Sequence, residues 1–209
     1  MWSPDGRYVV FENGAGTLFW IRADGGGALQ PLVKSGARMV PYSFSPDGKR
    51  LALASTGYDL YTVSVGNEGG SLHAGKPEPF LATSSDERSP FFAPDGKWLA
   101  YSSDESGVFQ VYVRAFPNTG GKWLISNEGG VHPIWPRSGD RIFFRTKDNH
   151  VMSVAYNVNG DTFDDERPRL WTPTQMGNVG LVANYDVAAD GKRVLALMET
   201  EHRNKPSGK

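Results

Sequence analysis

The 209-residue sequence predicts an all-β protein, a β-propeller built from four-stranded antiparallel blades. Two observations predict it. A turn signature recurs along the chain, in Trp2-Ser3-Pro4-Asp5-Gly6-Arg7, Phe44-Ser45-Pro46-Asp47-Gly48-Lys49, Phe92-Ala93-Pro94-Asp95-Gly96-Lys97 and Val187-Ala188-Ala189-Asp190-Gly191-Lys192, with a degenerate copy in Trp135-Pro136-Arg137-Ser138-Gly139-Asp140. Their glycines are spaced by 42, 48, 43 and 52 residues, and units of about 40–45 residues with four strands each have the period of propeller blades. Each copy is also followed by a short apolar run, such as Leu51-Ala52-Leu53-Ala54 or Trp98-Leu99-Ala100-Tyr101. No segment carries a sustained apolar pattern at i, i+3, i+4 and i+7, so no long helix is expected.

The signature has a physical reason. Proline presets φ at the first central turn position, aspartate tolerates turn geometry, and glycine takes a positive φ without steric cost. Each copy therefore reads as strand, tight turn, strand.

In chain order, repeat one gives strands over 7–12, 17–22 and 29–33, with only Met1-Trp2 where its first strand belongs. Repeat two gives 40–45, 50–54, 58–65 and 78–81. Its glycine-rich link over 66–77 is long enough to be expected mobile. Repeat three gives 90–93, 97–102, 109–115 and 122–126; repeat four gives 133–136, 141–145, 151–157 and 169–172; repeat five supplies 184–187 and 192–198. The count is four nearly complete repeats plus half a fifth. That makes either a small ring of four or five blades or a partial larger propeller. Residues 1–198 form the propeller segment, and 199–209 read as a polar, frayed tail.

Composition narrows the function classes. Hydrophobic residues make up 39% and aromatics 12%, which is a folding composition despite 25 glycines and 14 prolines. A net charge of −1 provides no basic field for nucleic acid or an anionic membrane. Cysteine is absent, which excludes disulfides and thiolate metal sites. No apolar run approaches the ~18 residues that span a bilayer, and with the first repeat opening almost at Met1 no signal peptide is expected. A first repeat that starts at Met1 reads as a piece of something longer.

The repeated signature, followed by strands such as Asp59-Leu60-Tyr61-Thr62-Val63 and Gln110-Val111-Tyr112-Val113-Arg114, resembles the TolB-like propeller repeat over residues 2 to about 198. The run from Phe92 to Gly107, with Gln110–Pro117, Gly120-Gly121-Lys122-Trp123 and Tyr185–Arg193, is similar to the propeller attached to bacterial, notably acidobacterial, serine/threonine protein kinases. That resemblance implies a sensor or interaction module on the extracytoplasmic side of a bacterial membrane. It carries no kinase activity, because these residues hold no kinase motif.

Catalytic motifs are absent. Gly69-Gly70-Ser71-Leu72-His73 lacks the nucleophile-elbow spacing, so Ser71 reads as a loop serine. There is no phosphate-binding loop. His73, His132, His150 and His202 lack paired ligand spacing. Asn157, Asn159 and Asp161 alternate like the first calcium ligands of a loop, but Thr162 stands where glycine is needed and Pro168 where a bidentate glutamate is needed. A hairpin turning at Asn159-Gly160 is the competing reading. Calcium is thus the one weak cofactor candidate.

Topology supplies the binding candidates. The first strand of each blade lines the central channel, so the loops leading into those strands meet at one mouth. They bring Arg38, Glu87, Arg88, His132 and Asn184 toward it. The competing reading has these side chains pairing and capping blade contacts. Trp2, Trp98 and Trp135 flank the turns and are expected to seal blade against blade, while Trp20, Trp123 and Trp171 fall on outer strands as contact patches. The expected function is non-catalytic binding of a protein or peptide-like ligand. The alternatives are the propeller of a prolyl-oligopeptidase-like hydrolase or a lactonase/phosphotriesterase-type propeller with a channel metal. The incomplete first and fifth repeats leave open strand edges, so a homodimer that completes the ring is also expected.

Overall fold

A computed structural model describes residues 1–177 and 183–198; residues 178–182 and the polar tail expected over 199–209 lie outside the described residues. Every repeat becomes a separate antiparallel sheet. Blade 1 holds β1 (Tyr8–Glu12), β2 (Thr17–Arg22) and β3 (Gln30–Lys34). Met1 and Trp2 form the stub of its inner strand, with Trp2 bridged to Val9 and the Val10 amide donating to the Met1 carbonyl at 2.8 Å. Blade 2 holds β4 (Met39–Phe44), β5 (Arg50–Ser55), β6 (Leu60–Glu68), β7 (Ser71–Ala74) and β8 (Glu78–Leu81). Blade 3 holds β9 (Glu87–Phe92), β10 (Trp98–Ser103), β11 (Gln110–Ala115) and β12 (Lys122–Leu124). Blade 4 holds β13 (Val131–Ile134), β14 (Arg141–Arg145), β15 (Val151–Asn159), β16 (Thr162–Asp165) and β17 (Arg169–Leu170). Blade 5 is the pair β18 (Tyr185–Val187) and β19 (Val194–Ala196).

The turns share one geometry. Gly6, Gly48, Gly96 and Gly191 have φ of 69°, 71°, 70° and 66°, whereas Gly139 of the degenerate copy stands at 113°. Within the turn of blade 2, the Asp47 carboxylate accepts from the Ser45 hydroxyl at 2.6 Å and from the Lys49 amide at 3.0 Å. The Ser45 hydroxyl oxygen in turn accepts from the Arg50 amide at 2.9 Å. Blade 1 repeats this set with Ser3 and Asp5. Successive turns stack, so that a Cβ on Gly96 would lie 3.3 Å from Pro46 and one on Gly48 3.8 Å from Pro4.

Second strands alternate between two neighbours. Leu51 and Leu53 of β5 join the core shared with blade 1, and Ala52 and Ala54 join the core shared with blade 3. Ile142 and Phe144 face blade 3, while Phe143 faces blade 5. Both faces of such a strand are buried, which is why these segments read as continuous apolar runs. The described core consists of clusters that join blades 1–2, 2–3, 3–4 and 4–5. Among the described residues no core cluster or strand ladder joins blade 5 to blade 1.

Two expectations are corrected. The link over 66–77 is not a loose loop: β6 runs on past its blade and folds back as β7, burying Leu72 against blade 1, with the Asn67 side-chain amide donating to the Tyr8 hydroxyl at 3.1 Å. Gly69 and Gly70 make a hairpin turn there, not a flexible tether. Blade 4 does the same with β15 and β16, placing Phe163 against Trp98 and Trp123 of blade 3 at 5.4 and 6.1 Å between ring centroids. The tryptophans also sort differently. Trp98 and Trp135 are buried as expected, but Trp2 is exposed, because only a strand stub holds it. Trp20 is buried against Tyr8 rather than lying in a surface patch, since the β7 hairpin roofs it.

Candidate functional site

The inner strands of all five blades surround one cavity of about 810 Å³. Its walls are mostly apolar and aromatic, with Phe91, Ile134, Trp135 and a run of prolines, and its polar groups are few. Each of β4, β9 and β13 carries a register shift at the same height, four to five residues before its turn. A bulge of this kind re-aims a side chain. At two of these bulges a non-glycine residue is held left-handed, with φ of 53° at both Ser89 and His132. Strained backbone of this type persists only where its surroundings over-determine it.

Here they do. The Ser89 hydroxyl and His132 Nδ1 lie 2.8 Å apart, so two adjacent blades share a hydrogen bond on the channel wall. The His132 amide donates to the Ser102 hydroxyl oxygen at 3.1 Å, and the His132 carbonyl accepts from the Tyr185 hydroxyl at 2.6 Å. The Tyr42 hydroxyl hydrogen-bonds Ser89 as well; burial raises the Tyr42 pKa, and that bond opposes the rise. Burial also pushes the Tyr185 phenol far up. Tyr42, Ser89, His132 and Tyr185 thus make a polar belt from blade 2 to blade 5 around an apolar cavity. At the turn-side mouth Arg137 reaches across from blade 4 and donates to the Pro4 carbonyl of blade 1 at 3.2 Å.

The five residues picked from sequence do not converge. Of them His132 alone lines the cavity. Arg38 grips Glu12 with Nε at 3.1 Å and Nη2 at 3.0 Å, tying blade 2 to blade 1. Burial tends to raise the Glu12 pKa, but the Arg38 hydrogen bonds and nearby backbone amides bring it below the ordinary value. Glu87 is wholly buried; Thr83 donates to its Oε1 at 2.5 Å, and its Oε2 has no partner among the described residues. Burial raises its pKa, and the neighbouring Asp59 and Glu105 add to the rise. Arg88 pairs with Asp86 and lies over the rings of Tyr58 and Phe109, at 4.5 and 5.2 Å from their centroids. Asn184 is buried, accepting from Arg145 at 3.1 Å and donating to the Gly177 carbonyl at 2.6 Å. Side chains alternate along a strand, so closeness to an inner strand does not select the channel face. Asn157, Asn159 and Asp161 belong to the β15–β16 hairpin and its turn, where Asn157 pairs with Asp164 and Asn159 with Thr162. Among the described residues no three of His, Cys, Asp and Glu gather as a metal site would require.

Tyr42, Ser89 and Tyr185 escaped the sequence reading. The signal for them was available: Tyr42 and Tyr185 each stand four residues before the first central position of their turn, and Ser89 and His132 each stand five before theirs.

The TolB beta propeller domain family model matches residues 1–207. The chain belongs to that family. TolB from Acinetobacter baumannii superposes with a TM-score of 0.56 at 16% identity, over 92% of this chain and 52% of that one. A Bacteroides uniformis protein provisionally named a 6-phosphogluconolactonase gives 0.57 at 20% identity, over 93% and 61%. The propeller domain of Cps50 (Swd1) from Myceliophteria thermophila gives 0.61 at 11%, over 81% and 56%. These likenesses establish the propeller fold alone. Dipeptidyl-peptidase 5 of Aspergillus oryzae is 27% identical over 159 residues, 63% of this chain. The chain spans about a fifth of the length of the curated relatives it matches, 21% of that peptidase. Among the described residues no helix is long and apolar enough to cross a membrane.

Proposed function

We propose that this TolB propeller segment is a non-catalytic binding module that takes a peptide-like segment of a partner protein into its central cavity. The observation that carries the reading is the 810 Å³ apolar cavity with its belt of Tyr42, Ser89, His132 and Tyr185. Concave, mostly apolar sites with a few fixed polar groups suit such ligands, and bulged, strained strands at the same height support a selected geometry. Ser89 and His132 serve here as hydrogen-bonding groups for ligand amides and carboxylates, and no metal or cofactor enters the proposal.

The likeness to dipeptidyl-peptidase 5 favours a second reading, in which the propeller serves a peptidase carried on another part of the protein. The two readings share a peptide-facing channel and differ in what lies beside it. Selection of displayed random peptides against the chain, followed by calorimetry on the winners, tests the shared part. Phe91→Arg places a charged side chain in the cavity and is expected to abolish binding; because Phe91 also packs against two core clusters, the melting temperature is expected to fall, and a cooperative melt shows that the variant is folded. Winners that bind Phe91→Arg as well as the parent, or a selection that enriches nothing, defeat the proposal.

A further inference from the structure

The β6–β7 and β15–β16 hairpins are one device placed on two blades. Val65 and Tyr156 open them, each donating its amide at 2.8 Å to the carbonyl of the residue after the turn glycine, Lys49 and Asp140. Asn67 opposite Leu72 then matches Val158 opposite Phe163 in the two ladders. On the neighbouring blades, Tyr8 and Trp98 each stand two residues beyond their turn glycine. Phe44 and Trp135 each stand four residues before theirs.

The two matched places are packed differently. Between blades 3 and 4, the Tyr156 ring stacks on Phe163 at 4.9 Å and meets Trp135 at 6.0 Å, and Phe163 closes on Trp98. Burial, with Asp95 and Asp140 nearby, pushes the Tyr156 phenol up to about 12, so its hydroxyl keeps the proton beside two acidic residues. Between blades 1 and 2 every matching side chain is smaller or polar: Val65 for Tyr156, Leu72 for Phe163, Phe44 for Trp135, Tyr8 for Trp98 and Asn67 for Val158. A groove of about 650 Å³ results, lined by these five residues and bordered by the exposed Asp5, Asp47 and Lys49. Its walls are the two complete turns, the strands they join and the β6–β7 hairpin, while Met1 and Trp2 line the channel instead. Pro4, Phe44 and Pro46 border both spaces, so the groove opens directly off the channel mouth.

We infer that this groove is an aromatic subsite, taking one tyrosine side chain of a peptide ligand as the ligand leaves the channel between the turns of blades 1 and 2. The occupant is specified inside the molecule. Interiors are packed without voids the size of a ring. The matching gap is filled by Tyr156 from the protein's own hairpin, and here Val65 leaves that ring for a ligand to supply. Leu72 and Phe44 offer the ring its apolar contacts. Its hydroxyl can donate to Asp5 or Asp47, which the Ser3 and Ser45 hydroxyls hold below the ordinary aspartate pKa and so ionised. Tyrosine suits such a place, with an apolar body and one polar end, and aromatic anchors carry much of the energy of recognition. That the tyrosine belongs to the channel's ligand rests on the proposal that the channel takes a peptide; the fit of the ring to the groove does not.

The probe is N-acetyl-tyrosinamide, titrated into the isotope-labelled 209-residue chain and followed by NMR. The expected result is binding of about millimolar strength, at least about fivefold tighter than that of N-acetyl-leucinamide. Shifts are expected at the Val65 and Leu72 methyls and the Asn67 side-chain amide, and none at the Ile134 methyls in the channel. Val65→Tyr with Leu72→Phe copies the blade 4 hairpin and fills the groove from within. Asn67→Trp covers it from an exposed position, outside the core. In each variant the probe should no longer move the groove signals that remain. Peptides selected against the parent chain are the second arm, expected to contain tyrosine and to bind either variant about tenfold more weakly. Shifts at Ile134 in place of Leu72, equal binding of the two small probes, or shifts that persist in both variants overturn the inference. Selected peptides that bind parent and both groove variants equally also overturn it and leave the channel proposal standing. A selection that enriches nothing defeats the channel proposal, and the small-probe titration then decides the groove by itself.

Discussion

Blades 3 and 5 begin alike and end differently. Their turn glycines have φ of 70° and 66°, and the aspartates Asp95 and Asp190 accept from the lysine amides two residues on at 2.9 and 3.0 Å. Beyond the turn, every residue of β10 is buried, while β19 is half-buried at best. Trp98 is sealed by Trp123 and Phe163, and Arg193 at the matching place faces solvent. The turn is a local object, closed by its own side chains. The strand that follows is a tertiary object, buried only if a neighbour exists on each side.

The largest test of that contrast is truncation in the two second strands. Leu99→Ala in β10 empties a fully buried site and is expected to cost about 2–5 kcal/mol in chemical denaturation. Leu195→Ala in β19 should stay within about 0.5 kcal/mol. Equal costs would mean that β19 is covered in solution.

Asn184→Ala probes what holds blade 5 to blade 4. Loss of its bonds to Arg145 and to the Gly177 carbonyl is expected to cost about 1–3 kcal/mol. Hydrogen exchange should speed up in β18 and β19 and stay unchanged in β10, because the damage is confined to the half-blade.

Substitution at the turns comes next. Gly96→Ala and Gly191→Ala both force a side chain into a left-handed position, for about 1 kcal/mol or more. Gly96→Ala should be the worse of the two, since its Cβ would press on Pro46 at 3.3 Å and that of Gly191 on Pro136 at 3.5 Å. Thermal melts that leave both variants level with the parent would refute the shared turn.

The smallest effect is a pH slope. Glu87 opens β9, and its folded pKa is raised, chiefly by burial. The unfolded chain therefore releases this proton first as pH rises, so stability falls from the ordinary glutamate value up to the raised folded value and is level beyond it. Glu87→Gln cannot ionise, and Thr83 can still donate to its carbonyl. Melting temperatures of parent and variant, compared at pH 4 and pH 8, should show a shallower decline in the variant; parallel curves would mean that Glu87 does not titrate in this window.

Most of the fold was legible because its signals are local. A Pro-Asp-Gly turn and the apolar run behind it need no distant partner to be recognised, so the strand positions of repeats one to four agree with the structure to within a few residues. The extended hairpins were harder. The glycine-rich stretch around Gly69 and Gly70 looks like slack, and only the apolar patch over Tyr8 and Trp20 gives Leu72 a reason to fold back.

The sequence by itself determined the repeat, the turn conformation and most strand positions, because backbone preference and hydrophobic pattern are written residue by residue. Tertiary structure decided the rest. The bulges at Ser89 and His132 choose which side chains reach the channel, sending Glu87 into the protein and Arg88 onto two aromatic rings. The Ser89–His132 bond joins residues 43 apart in sequence, and the Arg137–Pro4 contact joins residues 133 apart. Such distances are fixed by how blades stack, a property of inter-blade packing that no single segment carries.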